Sequence, residues 1–234
     1  MYHSITFGTK NTWDDWHLIP TTRPVFNPPT VKASTIDLPG GDGVLDLTEF
    51  IAGRPLYNNR TGSFEFIADN DFMRWEELYS EILNYLHGRS LKAVLKDDPG
   101  YYYQGRFTVN QWNSDKLYSK ITIDYDVFPY KKETGAALDQ WLWDPFNFKT
   151  GIIRVYKNIQ VDGTKVVRVV GSTMPTNITI TASATGMTVT FQGVTYELPK
   201  GSFMDQDIVI VDGINELTFT GSGIISIDLA GGKL

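Results

Sequence analysis

The chain has 234 residues, enough for one large or two modest domains, and its 41% hydrophobic and 21% charged content is that of a folded protein, which excludes extensive disorder. A formal net charge of −6 argues against a module that grips nucleic acid by neutralising phosphates. There is no cysteine, so disulfides and thiolate metal sites are excluded as well.

The acidic excess is uneven. Residues 1–150 hold 15 Lys/Arg against 20 Asp/Glu, while the remainder holds 6 against 7. The start, MYHSITFGTK, lacks the apolar core of an export signal, and no apolar run approaches the ~20 residues that span a bilayer. A soluble protein is expected, and the glycosylation-like matches at Asn59 and Asn177 carry no weight.

In chain order, residues 1–70 suggest short strands and loops. HSITF alternates apolar and polar, and TWDDWHLI does so loosely. Pro20, Pro24, Pro28 and Pro29 then rule out helix or central strand. VKASTIDL reads as a strand followed by the turn chemistry of PGGDG, and GSFEFIA as a strand with Phe64 and Phe66 on one face. The one helix is expected in DNDFMRWEELYSEILNYLHG, at about 71–87, with apolar residues at 72, 75, 78, 79, 82, 83 and 86 on one face. Asp69, Asn70 or Asp71 would cap its start and Gly88 would follow its end. A meander comes next: SLKAVLK, the turn DDPG, the strand YYYQGRFTVNQW, the turn NSDK and the strand LYSKITIDYDVF, whose Leu117, Ile121, Ile123, Tyr125 and Val127 share a face.

Residues 129–151 break the periodicity. Their aromatic part, WLWDPFNF, is too apolar for a free linker and is expected to pack on a neighbour. From Ile152 the text is all strand and turn, with turn signals at Asp162-Gly163, Gly186, Gly193, Asp212-Gly213 and Gly221-Ser222-Gly223. The fold class expected is mainly β: an N-terminal β domain with one α-helix over 1–132, a connector at 133–151, and a C-terminal antiparallel β-sandwich over 152–234.

Chemistry finds little footing. Asp97 and Asp98 are adjacent, so on a strand they would point to opposite faces, and with Pro99 and Gly100 behind them a turn explains both. Asp14-Asp15, between two tryptophans, is discounted in the same way. None of the three histidines, His3, His17 and His87, stands in metal-ligand spacing, and His87 falls in the last turn of the helix, where its charge would suit the dipole. No nucleophile elbow or phosphate loop is present; GGDG at 40–43 and GSG at 221–223 lack the strand-to-helix setting. No catalytic, cofactor-binding or metal-binding residue is therefore assigned.

Sugar recognition is the stronger functional rival, because aromatic faces stack on sugar rings. All six tryptophans (Trp13, Trp16, Trp75, Trp112, Trp141, Trp143) precede residue 151, and the sandwich offers Tyr156, Phe191, Tyr196, Phe203 and Phe219 at positions its core can use. Tyr101 and Tyr103 should share one face of their strand while Tyr102 takes the other. This hints at a surface that something must cover, against the alternative of hydroxyls that simply reach water.

Three blocks, IDLPGGDGVLDLTEFIAGRPLYNNRTGSFEF (36–66), NYLHGRSLKAVLKDDPGYYYQGRFTVNQW (84–112) and YSKITIDYDVFPYK (118–131), together resemble the distal tail proteins of long, non-contractile-tailed (siphovirus-type) bacteriophages and prophages. WLWDPFNF and the ending ITITASATG…FTGSGIISIDLAGGKL are similar to that family's second domain. The resemblance implies a structural, non-enzymatic protein without cofactor. Its N-terminal β-sandwich would form a homohexameric ring where the tail tube meets the tip complex, with DNA passing through the lumen unbound. Its second, galectin-like sandwich would scaffold tail-tip or receptor-binding components. Partners would be sister copies, the tube protein and a tail-tip protein, and the location the virion tail tip, with the host cytoplasm during assembly. A closed ring needs a heterologous interface, for which the Pro-rich stretch 20–29 and the PGGDG loop are the candidates. The alternative is a carbohydrate-binding protein recognising host-surface glycans through the C-terminal sandwich; a two-carboxylate hydrolase is the third reading.

Overall fold

Alternation of apolar and polar residues governs the architecture, which is mainly β. The computed structural model describes residues 3–50, 52–68, 74–114, 119–134 and 156–234. Two units divide the chain, Met1–Lys131 and Lys132–Leu234.

The first unit contains β1 (Ile5–Phe7), β2 (Lys10–Asn11), β3 (Leu18–Pro20), β4 (Thr35–Asp37), β5 (Val44–Asp46), β6 (Arg60–Ala68), α1 (Trp75–Leu86), β7 (Arg89–Leu95), β8 (Tyr101–Ser114) and β9 (Ser119–Val127). Seven of these strands run in the order β2-β1-β7-β8-β9-β6-β3, every pairing antiparallel. Each long strand turns alternate residues inward: Phe64 and Phe66 from β6, Phe107 and Val109 from β8, and Ile121, Ile123, Tyr125 and Val127 from β9 are all buried. A bulge between Val109 and Gln111 shifts the register of β8. Trp112 thereby joins the inner face and stacks on Trp75 of α1 at 3.3 Å between ring centroids.

The helix begins at Trp75, and the expected caps Asp69, Asn70 and Asp71 lie outside the described residues, as does Phe72. Leu78, Ile82 and Leu86 are buried, and Trp75, Tyr79 and Leu83 pack against the same core. Gly88 follows at φ +72°, the left-handed conformation that ends a helix without a Cβ penalty. Tyr85 ties the helix to β1 through its hydroxyl, which donates to the Phe7 carbonyl at 2.8 Å.

Two stretches depart from the expectation for residues 1–70. TWDDWHLI yields only β3, because Asn11 N–H is captured by Asp15 Oδ2 at 2.7 Å and His17 N–H by the Trp13 carbonyl at 3.0 Å, which coils the segment into turns. VKASTIDL supplies only the short β4, paired with β5 and with no strand of the main sheet.

A short strand, β10 (Lys131–Glu133), spans the boundary. The second unit then contains β11 (Ile159–Val170), β12 (Thr176–Asn177), β13 (Thr179–Ala182), β14 (Met187–Phe191), β15 (Val194–Leu198), β16 (Gly201–Phe203), β17 (Val209–Ile210), β18 (Ile214–Asp228) and β19 (Gly232–Lys233). WLWDPFNF and residues 152–155 lie outside the described residues.

Here the turn signals at Asp162-Gly163 and Gly221-Ser222-Gly223 are corrected. Both sit inside continuous strands, and β11 pairs with β18 in unbroken register from Val170↔Ile214 to Ile159↔Ile225. Gly163 (φ +78°) faces Gly221 (φ +124°) across the ladder, so the ribbon bends where both strands carry a glycine in a left-handed conformation. On its other edge β18 pairs first with β14 (Thr218–Thr220) and, beyond the bend, with β13 (Ile225–Asp228). The sheet order β15-β14-β18-β13-β16 thus wraps around one core that includes Leu217, Phe219, Ile225 and Ile227. Its outer strands meet at Tyr196 and Phe203, 6.4 Å apart. This wrap is the sandwich expected.

Gly105 sets a testable limit on the first sheet, because a Cβ there would come within 2.2 Å of the Asp126 carbonyl oxygen and 2.4 Å of Val127 Cα. Backbone cannot yield as a flexible side chain does, so Gly105→Ala is expected to cost about 1–3 kcal/mol in urea unfolding. A variant of native stability would show that β8 and β9 separate more freely than this packing allows.

Candidate functional site

The carboxylates that looked most like a catalytic pair are fasteners. Asp98 N–H donates to the Leu95 carbonyl (3.0 Å) and Tyr101 N–H to the Asp98 carbonyl (3.2 Å), closing the expected turn. Asp97 holds His3 Nδ1 (2.7 Å) and Arg23 Nε (2.9 Å), while Asp98 holds Lys131 Nζ (2.7 Å). One tip therefore gathers three segments far apart in sequence. At these partly exposed positions each pair contributes at most about 1 kcal/mol.

The remaining sequence candidates are also structural. Asp15 accepts from the Asn11 amide and from Lys10 Nζ, which holds its carboxyl below the usual range, the amide contributing most. His17 stacks on Trp13 (5.0 Å), and His87 Nδ1 accepts the Val109 amide (3.2 Å), joining the helix end to β8. Trp16 Nε1 donates to Glu81 Oε1 at 3.1 Å. Trp141 and Trp143 lie outside the described residues. Among the described residues no three His, Cys, Asp or Glu side chains gather as metal ligands would. Of the five aromatics proposed for sugar stacking, Tyr156, Phe191 and Phe219 are buried, and Tyr196 and Phe203 pack against the same core.

What the structure assembles instead is a strap and an arm. The strap is the Pro-rich stretch 20–29. Its Phe26, 3% exposed, stacks on Tyr103 (3.9 Å) and meets Phe64 and Tyr125 edge-on at 5.0 and 4.7 Å. Tyr125 Oη accepts the Asn27 amide at 2.8 Å. Beneath lies Arg60, 5% exposed, which donates to the carbonyls of Pro129 (2.6 Å) and Asn27 (3.0 Å) with its guanidinium 5.5 Å from the Tyr103 ring centroid. Burial lowers the Arg60 pKa and raises those of Tyr103 and Tyr125. Sequence inspection missed both Phe26 and Arg60. The available signal was a lone aromatic bracketed by prolines in RPVFNPP, an extended segment with one side chain to bury.

The tyrosine strand follows the expected alternation, with Tyr101 and Tyr103 inward and Tyr102 outward, where Lys92 Nζ sits 4.5 Å from its ring centroid.

Beyond Asn27 the chain leaves the core. Lys32 N–H donates to Leu56 O, Asn58 N–H to Thr30 O and Leu47 N–H to Ser34 O, each at 2.8 Å, so that residues 30–58 form a self-paired antiparallel arm. Its distal part is β4 and β5, joined through the PGGDG loop with Gly40 and Gly43 at positive φ. Val31, Ile36, Leu38, Val44, Leu45 and Phe50 are all exposed, Phe50 to 81%. Of the two stretches expected to reach outward, the Pro-rich one is therefore bound to its own sheet, and the PGGDG loop is the tip of the exposed arm.

No protein-family model matches the chain, and no curated protein matches it in sequence. Among solved structures it is similar to the Dit protein (gp 19.1) of phage SPP1, described as a paradigm of the hub adsorption apparatus of phages that infect Gram-positive bacteria. The likeness covers 100% of both chains with a TM-score of 0.60 at 12% identity. The two proteins share a fold.

Truncating the strap's anchor tests the geometry: Phe26→Ala should cost about 3–5 kcal/mol and speed tryptic cleavage after Lys32, the Arg23–Pro24 bond being resistant to trypsin. The tyrosines give a second test. A raised folded-state pKa means that their contribution is whole below about pH 10, the ordinary tyrosine value, and is lost as pH rises through the folded-state values. The thermal midpoint should begin to fall as pH rises past about 10, in step with tyrosinate absorbance, and Tyr125→Phe should flatten that fall.

Proposed function

We propose that this chain is a structural hub component of a bacteriophage tail tip, built to join sister copies to one another and to neighbouring virion parts. The observation that carries this is the whole-length likeness of fold to a phage hub protein. The arm supports it, since soluble proteins rarely leave a run of large apolar side chains uncovered.

On this reading residues 1–132 form the ring. Six copies close through a heterologous contact in which one patch meets a different patch on the next copy. The ring joins the tail tube to the tip complex, and residues 152–234 receive tail-tip or receptor-binding proteins. DNA crosses the lumen without being held. The acidic excess of residues 1–150 disfavours adhesion of phosphate, which suits a conduit. Its place is the virion tail tip, reached from the host cytoplasm. The role is scaffolding, with no turnover and no cofactor. Glycan recognition by the C-terminal sandwich is less well supported, because the five aromatics put forward for it pack in or against the core.

Light scattering and negative-stain imaging of the purified full chain test this reading. Six copies of 26.4 kDa give about 158 kDa, and rings with sixfold symmetry should be visible. A chain that stays at 26.4 kDa at every concentration, also in the presence of isolated tail tubes, would overturn it.

A further inference from the structure

Two sets of charges in the unit Met1–Lys131 are in no ion pair, one on the arm that runs into β6 and one on β7 and β8. The first set is on the arm. Residues 30–58 carry Asp37, Asp42, Asp46 and Glu49 against Lys32 and Arg54, so the arm is acidic as well as apolar. None of the four carboxylates is in an ion pair, and Asp46 accepts only from Thr48. The second set belongs to the outer face and margin of β7 and β8. Lys92 lies over the Tyr102 ring, Arg106 Nη1 donates to the Gly88 carbonyl, and Arg89 Nη1 donates to the Tyr85 carbonyl at 3.1 Å. All three cations are exposed and none is in an ion pair; Asp126 of β9, directly across from Arg106, accepts instead from Asn59 Nδ2 at 2.7 Å.

The register makes the basic face contiguous. Ser90 pairs with Arg106 and Lys92 with Gln104, so Lys92 and Arg106 are diagonal neighbours on one side of the sheet. Val94 and Tyr102, both half-buried, occupy alternate positions on that same side and give it an apolar component. The arm, by contrast, runs into β6, which is separated from β7 by β9 and β8. At the usual strand spacing this is roughly 14 Å across the sheet. An acidic and apolar surface beside β6 and a basic and apolar surface on β7 and β8 suit a head-to-tail pair.

We propose that the arm of one copy docks on the outer face of β7 and β8 of the next. Its carboxylates meet Lys92, Arg106 and Arg89, and its apolar residues cover Val94 and Tyr102. The inference rests on the ring reading and names the contact that repeats around it. Opposite charge on two separate surfaces of one unit fixes the direction of assembly, because two arms repel each other and two basic faces do the same.

Charge exchange tests the pairing in the full chain. K92E/R106E should raise the concentration for half-assembly about tenfold or more, and D37K/D42K/E49K should do the same. Both sets combined in one chain should restore assembly, and the two single-sided variants mixed should co-assemble, because each arm then finds an opposite face. Thermal midpoints read alongside separate misfolding from lost docking. If K92E/R106E assembles at the native concentration, or if the combined variant fails to assemble while keeping its thermal midpoint, the contact is wrong and the ring reading stands. A native chain that never assembles overturns both.

Discussion

The first unit depends on one aromatic side chain held between two prolines. Phe26 sits on Tyr103 and against Phe64 and Tyr125, and thereby closes the part of the inner sheet face where the strap crosses. Past Thr21, whose amide still donates to the Glu65 carbonyl at 3.0 Å, the strap leaves the ladder, with prolines at 24, 28 and 29 lacking the donor, so its position is set by packing and by a few polar contacts. Arg60 supplies one of them by donating to the Asn27 carbonyl of the strap, while it also holds the Pro129 carbonyl. A buried guanidinium that serves backbone carbonyls keeps its charge solvated by dipoles, which makes it a tolerable occupant of the interior. Because the strap is fixed, the chain beyond Asn27 leaves the core at a defined place.

The second unit solves a different problem, which is how one two-stranded ribbon contributes to both layers of a sandwich. Glycines opposite one another in the β11–β18 ladder allow both strands to bend at the same level without losing register. At Gly221 and Gly223 the space is also limited, since a Cβ would come within 3.0 Å of Met187 Cα or 2.8 Å of Met187 Sδ. Conformation and close packing thus both demand glycine at this corner.

Much of the fold was legible in the sequence. Period-two alternation placed the inner faces of β6, β7, β8 and β9, and the helical spacing placed Leu78, Ile82 and Leu86, because those patterns are direct consequences of burial on one side. The glycine corner was misjudged as turns, since Asp-Gly and Gly-Ser-Gly signal a change of direction and nothing local distinguishes a bend within a ladder from a reversal. Phe26 and Arg60 were not legible, because a single aromatic in an extended stretch has no period and an arginine after two asparagines looks like a surface residue. At the candidate site, PGGDG marked the tip of the arm correctly. The arm's independence from the main sheet was hidden, because a strand that pairs only with its own return reads the same as one that joins a larger sheet.

The arm's lack of any role in the core has a consequence for divergence. None of the described residues from Lys32 to Gly53 is part of the buried interior, so amino-acid changes there alter the surface offered to others while leaving folding almost untouched. If copies join copies as proposed, two diverged relatives in one cell would risk building mixed, defective assemblies. A segment whose sequence drifts without endangering the fold lets each lineage acquire its own self-recognition, and so keeps its components apart.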